Sequence, residues 1–212
     1  LPPGSGLLDL ELGREPELTH YDWITDTTVH DGSAWAYMKN SKYKTTTDLV
    51  HYLIDNVSKN GYMLLNIGPK PDGTIPEEDK NLLEGIGNWL DVNGEAIFET
   101  ETWDQYGEGP TKMNEAGPFS DNRAKLIYTA KDFRFTTKDN FLYATALGWP
   151  SKDFTIESIY KLFDNEIERV ELLGSTDKVE WKHTRDGLHI TRPDNKPCEH
   201  AYSFKITRKE YL

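Results

Sequence analysis

The 212 residues are 36% apolar and 12% aromatic, enough for one large domain or two modest ones, which excludes a disordered chain. A formal net charge of -12 repels phosphate backbones and anionic bilayers, so neither a nucleic acid nor a membrane is an expected partner, while neutral ligands such as sugars stay open. Cys198 is the single cysteine, which excludes an intrachain disulfide, and there is no run of about 18 apolar residues to span a membrane.

The opening Leu1-Pro2-Pro3-Gly4 carries neither an initiator Met nor a leader pattern and reads as a loop interior, so a piece of a longer protein is expected. Leu8 to Leu12 alternate apolar and acidic residues, which predicts a strand with Asp9 and Glu11 on one face and Leu8, Leu10 and Leu12 on the other. Gly13-Arg14-Glu15-Pro16 ends it. Trp23 to Val29 is β-branched and predicts a second strand, running into a His30-Asp31-Gly32-Ser33 loop that carries Trp35 and Tyr37.

Thr45-Thr46-Thr47 offers N-caps for a helix from about Asp48 to Lys59, with Leu49, Val50, Leu53, Ile54 and Val57 on one stripe. Asn60-Gly61 stops it, with Gly61 expected to supply the positive φ. Tyr62 to Ile67 is a short apolar run, expected as a strand covered on both faces. The loop Gly68 to Gly73 follows, and Thr74-Ile75-Pro76-Glu77 matches a capping box for a helix burying Leu82, Leu83, Ile86, Trp89 and Leu90. Strand, strand, helix, strand, helix is α/β grammar. Three strands and two helices cannot close a barrel, a second reason to expect a fragment.

From about Phe98 the pattern changes. Glu101 to Arg123 reads as a turn-rich connector. Short alternating runs follow at Lys125–Ala130, Phe133–Thr136, Phe141–Leu147, Glu168–Leu173, Val179–His183, Gly187–Thr191 and Tyr202–Thr207, separated by turn signals. That spacing predicts an antiparallel β-sandwich. The expected organisation is residues 1–97 as the C-terminal portion of an α/β barrel, and residues 98–212 as connector and sandwich.

Asp9 and Glu11 stand near the C-terminal end of their strand, the end that carries chemistry in α/β barrels, or else line a solvated edge. A carboxyl there serves as a general acid when apolar neighbours raise its proton affinity. His20 and His30 lack metal-ligand spacing and are expected in loops or at the surface. Asn66-Ile67-Gly68-Pro69 lacks the Gly-Lys-Ser/Thr of a phosphate loop. No cofactor and no metal is expected. Trp23 suits a sugar platform or a core equally, while Trp35 leans towards a site. Trp149, Phe154 and Trp181 suit the sandwich core better than a binding face.

The segments Val57-Ser58-Lys59-Asn60-Gly61, Leu64-Leu65-Asn66-Ile67-Gly68-Pro69, Pro71-Asp72-Gly73-Thr74 and Trp89 to Ile97 together resemble the end of the catalytic domain of the α-L-fucosidases of glycoside hydrolase family 29. Trp23-Ile24-Thr25-Asp26-Thr27-Thr28, followed by Trp35-Ala36-Tyr37, resembles that family's Trp-x-x-Asp-Thr-Ser segment with its later aromatic pair. The resemblance implies a retaining glycosidase releasing terminal α-L-fucose, with a nucleophilic Asp on an earlier strand, outside this chain. Some members carry a Glu after the Trp that matches Trp23; here Ile24 stands there and cannot transfer a proton. Asp9-Leu10-Glu11-Leu12-Gly13-Arg14 is similar to the Asp-x-Glu-x-Gly-Arg of bacterial members, which makes Glu11 the acid/base candidate, with Glu15 and Glu17 as rivals. Trp35 is implied as a lining residue of the fucose pocket, and Asp26 as a structural carboxylate accepting backbone N–H groups, while Trp23 stays a second substrate-binding candidate on its residue type.

The resemblance further implies a fucosylated glycan as substrate, a secreted, periplasmic or lysosomal setting, and leaves an oligomer open. Without its upstream nucleophile the chain is expected to be inactive alone. The rival readings are a carbohydrate-binding or structural sandwich attached to another barrel glycosidase, and a different glycosidase on the same barrel.

Overall fold

A computed structural model describes residues 6–32, 34–113, 116–120 and 125–209. The Leu1–Gly4 opening and Ser33 lie outside the described residues. The chain divides into two compact units: residues up to Asn88 with Lys112–Leu126, and Trp89–Thr111 with residues from Ile127 onward. Among the described residues no helix is long and apolar enough to cross a membrane.

The first unit is built on a parallel sheet, β1 (Leu8–Asp9), β2 (Trp23–Thr28) and β3 (Gly61–Asn66), in the order β1-β2-β3. β1 is shorter than its alternation predicts. The backbone follows β2 a little further, with Leu10 and Leu12 N–H groups donating to Ile24 and Asp26 carbonyls at 2.9 and 3.0 Å. Leu12 then turns left-handed at φ 49°. Leu10 and Leu12 are buried as expected, whereas Leu8 is exposed.

Helix α1 (Thr46–Ser58) joins β2 to β3, as a parallel pair requires. Thr45 caps it: its hydroxyl accepts the Asp48 N–H at 3.0 Å, and the Asp48 carboxylate accepts the Thr45 N–H at 3.1 Å. Burial extends past the apolar stripe to Asp55, Asn56 and Ser58. Asn60, not Gly61, takes the positive φ, at 71°. Gly61 is glycine for another reason: a Cβ there would stand 2.4 Å from Trp23 Cζ2. β3 departs from the expected double cover, because Tyr62 and Leu64 are exposed on one face.

Helix α2 (Glu77–Asn93) starts without the expected Thr74 cap, since the Thr74 hydroxyl and N–H both donate to Asp72 Oδ1. Its early turn instead supplies Asp79, whose Oδ2 accepts the Gly68 N–H at 3.0 Å and so ties the loop after β3 to the helix. Leu82, Ile86 and Trp89 are buried, while Leu83 is exposed.

The second unit has two antiparallel sheets. One orders β4 (Glu101–Glu108), β5 (Phe133–Lys138), β6 (Phe141–Ala146), β11 (Tyr202–Arg208) and β8 (Ile167–Leu172) as β4-β5-β6-β11-β8; the other is β7-β10-β9, from β7 (Phe154–Ile156), β9 (Trp181–Thr184) and β10 (Gly187–Ile190). Phe133, Phe135, Phe204, Leu142, Ile156, Leu188 and Ile206 form the buried core of this sandwich. Each such side chain contributes about 1.5–3 kcal/mol on burial. Trp149, Phe154 and Trp181 pack against that core, so their rings serve packing.

Two strands escaped the sequence pattern and one expected strand is absent. β4 lies in the presumed connector; it is a largely solvated edge strand whose register shifts between Thr102 and Gly107, so alternation is lost. β7 has only three residues. Lys125–Ala130 forms no strand, and Ile127 at its middle is 75% exposed.

Candidate active site

The turn that carries Glu11 is fixed from several directions. Ahead of it lie the β2 bonds of Leu10 and Leu12, and Gly13 N–H closes onto Leu10 O at 3.0 Å. From the far side come residues 116–120, whose Phe119 N–H donates to the Glu11 carbonyl at 2.7 Å and whose Gly117 N–H donates to the Arg14 carbonyl. Arg14 N–H in turn donates to Ser120 Oγ. A Cβ on Gly13 would sit 2.1 Å from Gly117 O, so this clasp closes only over glycine. The clasp belongs to the stretch that reads as a turn-rich connector.

Beneath the turn lies a buried ionic group. Asp55 Oδ2 faces Lys59 Nζ at 2.9 Å and Arg14 NH1 at 3.5 Å, with all three side chains almost fully enclosed. The Arg14 guanidinium stacks 4.4 Å from the Tyr52 ring centroid, and the Tyr52 hydroxyl donates to Gly13 O. Thr25 Oγ1 donates to Leu10 O. Side chains of α1 and β2 therefore hold the backbone on both sides of Glu11. Buried charges cost free energy unless paired, and here their pairing orders a turn.

The sheet register places carboxyl groups on one face. Asp9 pairs with Ile24, and Leu12 N–H reaches Asp26 O, so Asp9, Glu11 and Asp26 gather at the same end of β1 and β2. Asp26 holds its proton more tightly than an ordinary Asp. Burial is the main cause, and the negative charges of Asp9 and, more weakly, Glu11 add to it. Asp26 Oδ1 has no hydrogen-bond partner among the described residues. A backbone N–H bond to the carboxylate works the other way, so the expected backbone support is present but outweighed. The closeness of Asp26 to Asp9 and Glu11 was not legible in the sequence, because it is set by parallel register and not by spacing along the chain.

Glu15 and Glu17 stand apart from this group. The Glu15 carboxylate accepts the Tyr21 hydroxyl at 3.0 Å, and Glu17 is exposed. Trp35 is half-buried; its carbonyl accepts the Asn66 side-chain N–H at 3.0 Å, and Gly68 lies so close to Tyr37 N that a Cβ would approach it to 2.8 Å. The Asn66–Gly68 stretch thereby positions the Trp35 loop. Trp23, expected as a second lining residue, is wholly buried, and its Nε1 donates to Lys59 O at 3.2 Å. Its indole fills the space left by Gly61, so Trp23 packs the unit and does not face a ligand. His20 is exposed. His30 departs from its expected loop or surface place: it is fully buried against Tyr43, ring centroids 4.8 Å apart. Among the described residues no group of three His, Cys, Asp or Glu side chains is placed to hold a metal ion.

Residues 7–95 match the family model described as alpha-L-fucosidase, and residues 125–207 match that of the alpha-L-fucosidase C-terminal domain. Among curated proteins, the plasma alpha-L-fucosidase of Pongo abelii is 31% identical over 198 residues, covering 90% of this chain and 38% of that one. The tissue alpha-L-fucosidase of Rattus norvegicus is 29% identical over 203 residues, covering 92% and 39% respectively. The chain thus spans about two-fifths of the length of these relatives. Among solved structures, the Thermotoga maritima alpha-fucosidase in complex with fucose superimposes with a TM-score of 0.70 at 27% identity, over 92% of this chain and 41% of that one.

Proposed function

Because the chain belongs to the α-L-fucosidase family, of which it carries the C-terminal part, we propose that it forms part of a retaining exo-α-L-fucosidase acting on terminal α-L-fucosyl linkages of glycans. In this reading β1, α1 and their neighbours are the last strand–helix units of a (β/α) barrel, residues 1–97, and residues 98–212 are connector and sandwich. The observation that carries the proposal is the braced Glu11 turn at the C-terminal end of a parallel strand, where barrel enzymes place their chemistry. The Thermotoga relative, which binds fucose, supports the sugar.

Glu11 is the proposed acid/base. As the carboxylic acid it gives its proton to the glycosidic oxygen while the bond from that oxygen to the anomeric carbon breaks. A nucleophilic Asp from an earlier strand forms the new bond to that carbon on the opposite face. Glu11, now a carboxylate, takes a proton from water as the water oxygen attacks the anomeric carbon and releases the Asp. Retention asks for a carboxyl separation of about 5–5.5 Å in the complete fold. Trp35 offers a ring face to the sugar. A secreted, periplasmic or lysosomal setting belongs to the same reading.

The test is release of 4-nitrophenol from 4-nitrophenyl α-L-fucoside by the full-length parent, its Glu11→Gln variant and the 212-residue chain side by side. The proposal expects activity in the parent, none in the chain, and a kcat loss of about 10²–10⁴ in the variant on a natural fucoside, whose leaving group needs protonation. Normal turnover of the natural fucoside by the variant removes Glu11 as the acid. An inactive parent removes the fucosidase reading.

A further inference from the structure

The sandwich unit carries a cleft of its own, about 560 Å³ in volume, lined by residues of β4, the end of β11 and the loop before β8. Ligand pockets run to roughly 300–1,000 Å³. Its walls are aromatic. Trp103 stands half-buried with its ring edge-on to Phe135, while Tyr160 and Phe163 are 49% and 66% exposed. The loop bearing Tyr160 and Phe163 is shaped from within: Glu166 Oε1 accepts the backbone N–H groups of Leu162 and Phe163, and Lys161 N–H donates to Thr184 O at 2.8 Å.

A cation lines the same cleft. Arg208 is half-buried, its Nε has no hydrogen-bond partner, and among the described residues its guanidinium enters no salt bridge. Burial works against its charge, opposed only by Asp104. A buried guanidinium N–H without an acceptor is unfavourable. Asp104 and Asp139 add acceptors at the rim.

We infer that this cleft is a carbohydrate site separate from the Glu11 turn, taking a neutral sugar residue of a glycan. Vicinal hydroxyls both accept and donate, so one diol can satisfy Arg208 and Asp104 together, while the C–H face of the ring packs on Tyr160 and Phe163. An anionic sugar fits less well, because three carboxylates, Asp104, Asp139 and Glu166, line the cleft against two cations, Arg208 and Lys209. The inference does not depend on hydrolysis by the first unit.

The test is titration of the 212-residue chain with lactose, 2′-fucosyllactose and glucuronate, followed by saturation-transfer NMR. The expected result is saturable binding of a neutral saccharide at roughly millimolar concentration. Binding should weaken about tenfold or more in Tyr160→Ala and in Arg208→Gln, and stay unchanged in Trp35→Ala. Tyr160 is half-exposed, so its truncation should leave the melting temperature unaltered, which separates a lost site from a lost fold. The inference is overturned by no saturable binding of either neutral saccharide, by preference for glucuronate, or by binding that Trp35→Ala abolishes and Tyr160→Ala spares. It is equally overturned if the chain is a dimer that Tyr160→Ala dissociates, since the rings then cover a partner copy.

Discussion

The indole of Trp23 occupies the space that a side chain on Gly61 would need, the two residues being directly paired across parallel strands β2 and β3. Gly61→Ala puts a methyl 2.4 Å from Trp23 Cζ2, and neither the strand backbone nor a wholly buried indole has room to retreat. The expected cost is about 1–3 kcal/mol, the range for overpacking a core. Urea unfolding measures it, and an alanine variant as stable as the parent would contradict this packing.

Asp55 is the shared anion of Lys59 and Arg14. Asp55→Ala leaves two cations in a closed space, with an expected loss of about 3–5 kcal/mol. Because Arg14 follows the Glu11 turn, the variant should also speed hydrogen exchange of the Leu12 and Phe119 amides. Exchange that quickens equally everywhere would place the effect in global stability alone.

The Thr45–Asp48 capping box gives a signed pH dependence. Burial tends to raise the Asp48 proton affinity, but the N–H and hydroxyl of Thr45, helped by Lys125, outweigh it and hold the carboxyl below its ordinary range. A lowered folded-state value stabilises above the unfolded value and is lost as pH falls through the folded one. Thr45→Ala should therefore cost about 1 kcal/mol at pH near 7. The difference from the parent should shrink in acid, where Asp48 is protonated in both chains. A gap in urea midpoint that stays constant with pH would refute the ionic part.

Asp26 has the opposite sign. Its folded-state proton affinity is raised, chiefly by burial and then by Asp9. Its contribution is thus most favourable below the unfolded value and is lost as pH rises through the folded one. D26N, which carries no charge to repel, should melt higher than the parent at neutral pH and converge with it in acid. Thermal scans across the acid range read this directly; a variant that melts lower at neutral pH would show that the carboxylate is needed for folding.

Much of the local structure was legible. The β-branched run at Trp23, the Thr45 cap and the stripe on α1 predict β2 and α1 nearly residue by residue, because cap and periodicity act within a few positions. The short runs after Phe133 predict most of the sandwich for the same reason. β4 was not legible, since a solvated edge strand with a shifted register has no alternation to read. The strand-end position of Glu11 could be read from its motif, but the approach of Asp26 to Asp9 and Glu11 could not, because it follows from the β1–β2 register.

By itself the sequence determined β2, α1, α2 and most strands of the sandwich, and the motifs that align the chain with its family. Only the tertiary structure decided that residues 116–120 clasp the Glu11 turn, that Trp23 is core, and that Asp9, Glu11 and Asp26 share one end of the sheet. The reason is physical: propensity and periodicity are local properties of the chain, whereas the Phe119–Glu11 bond and the β1–β2 register join residues far apart in sequence. Such pairings are chosen by which surfaces can be buried together, and they leave no local mark in the order of the residues.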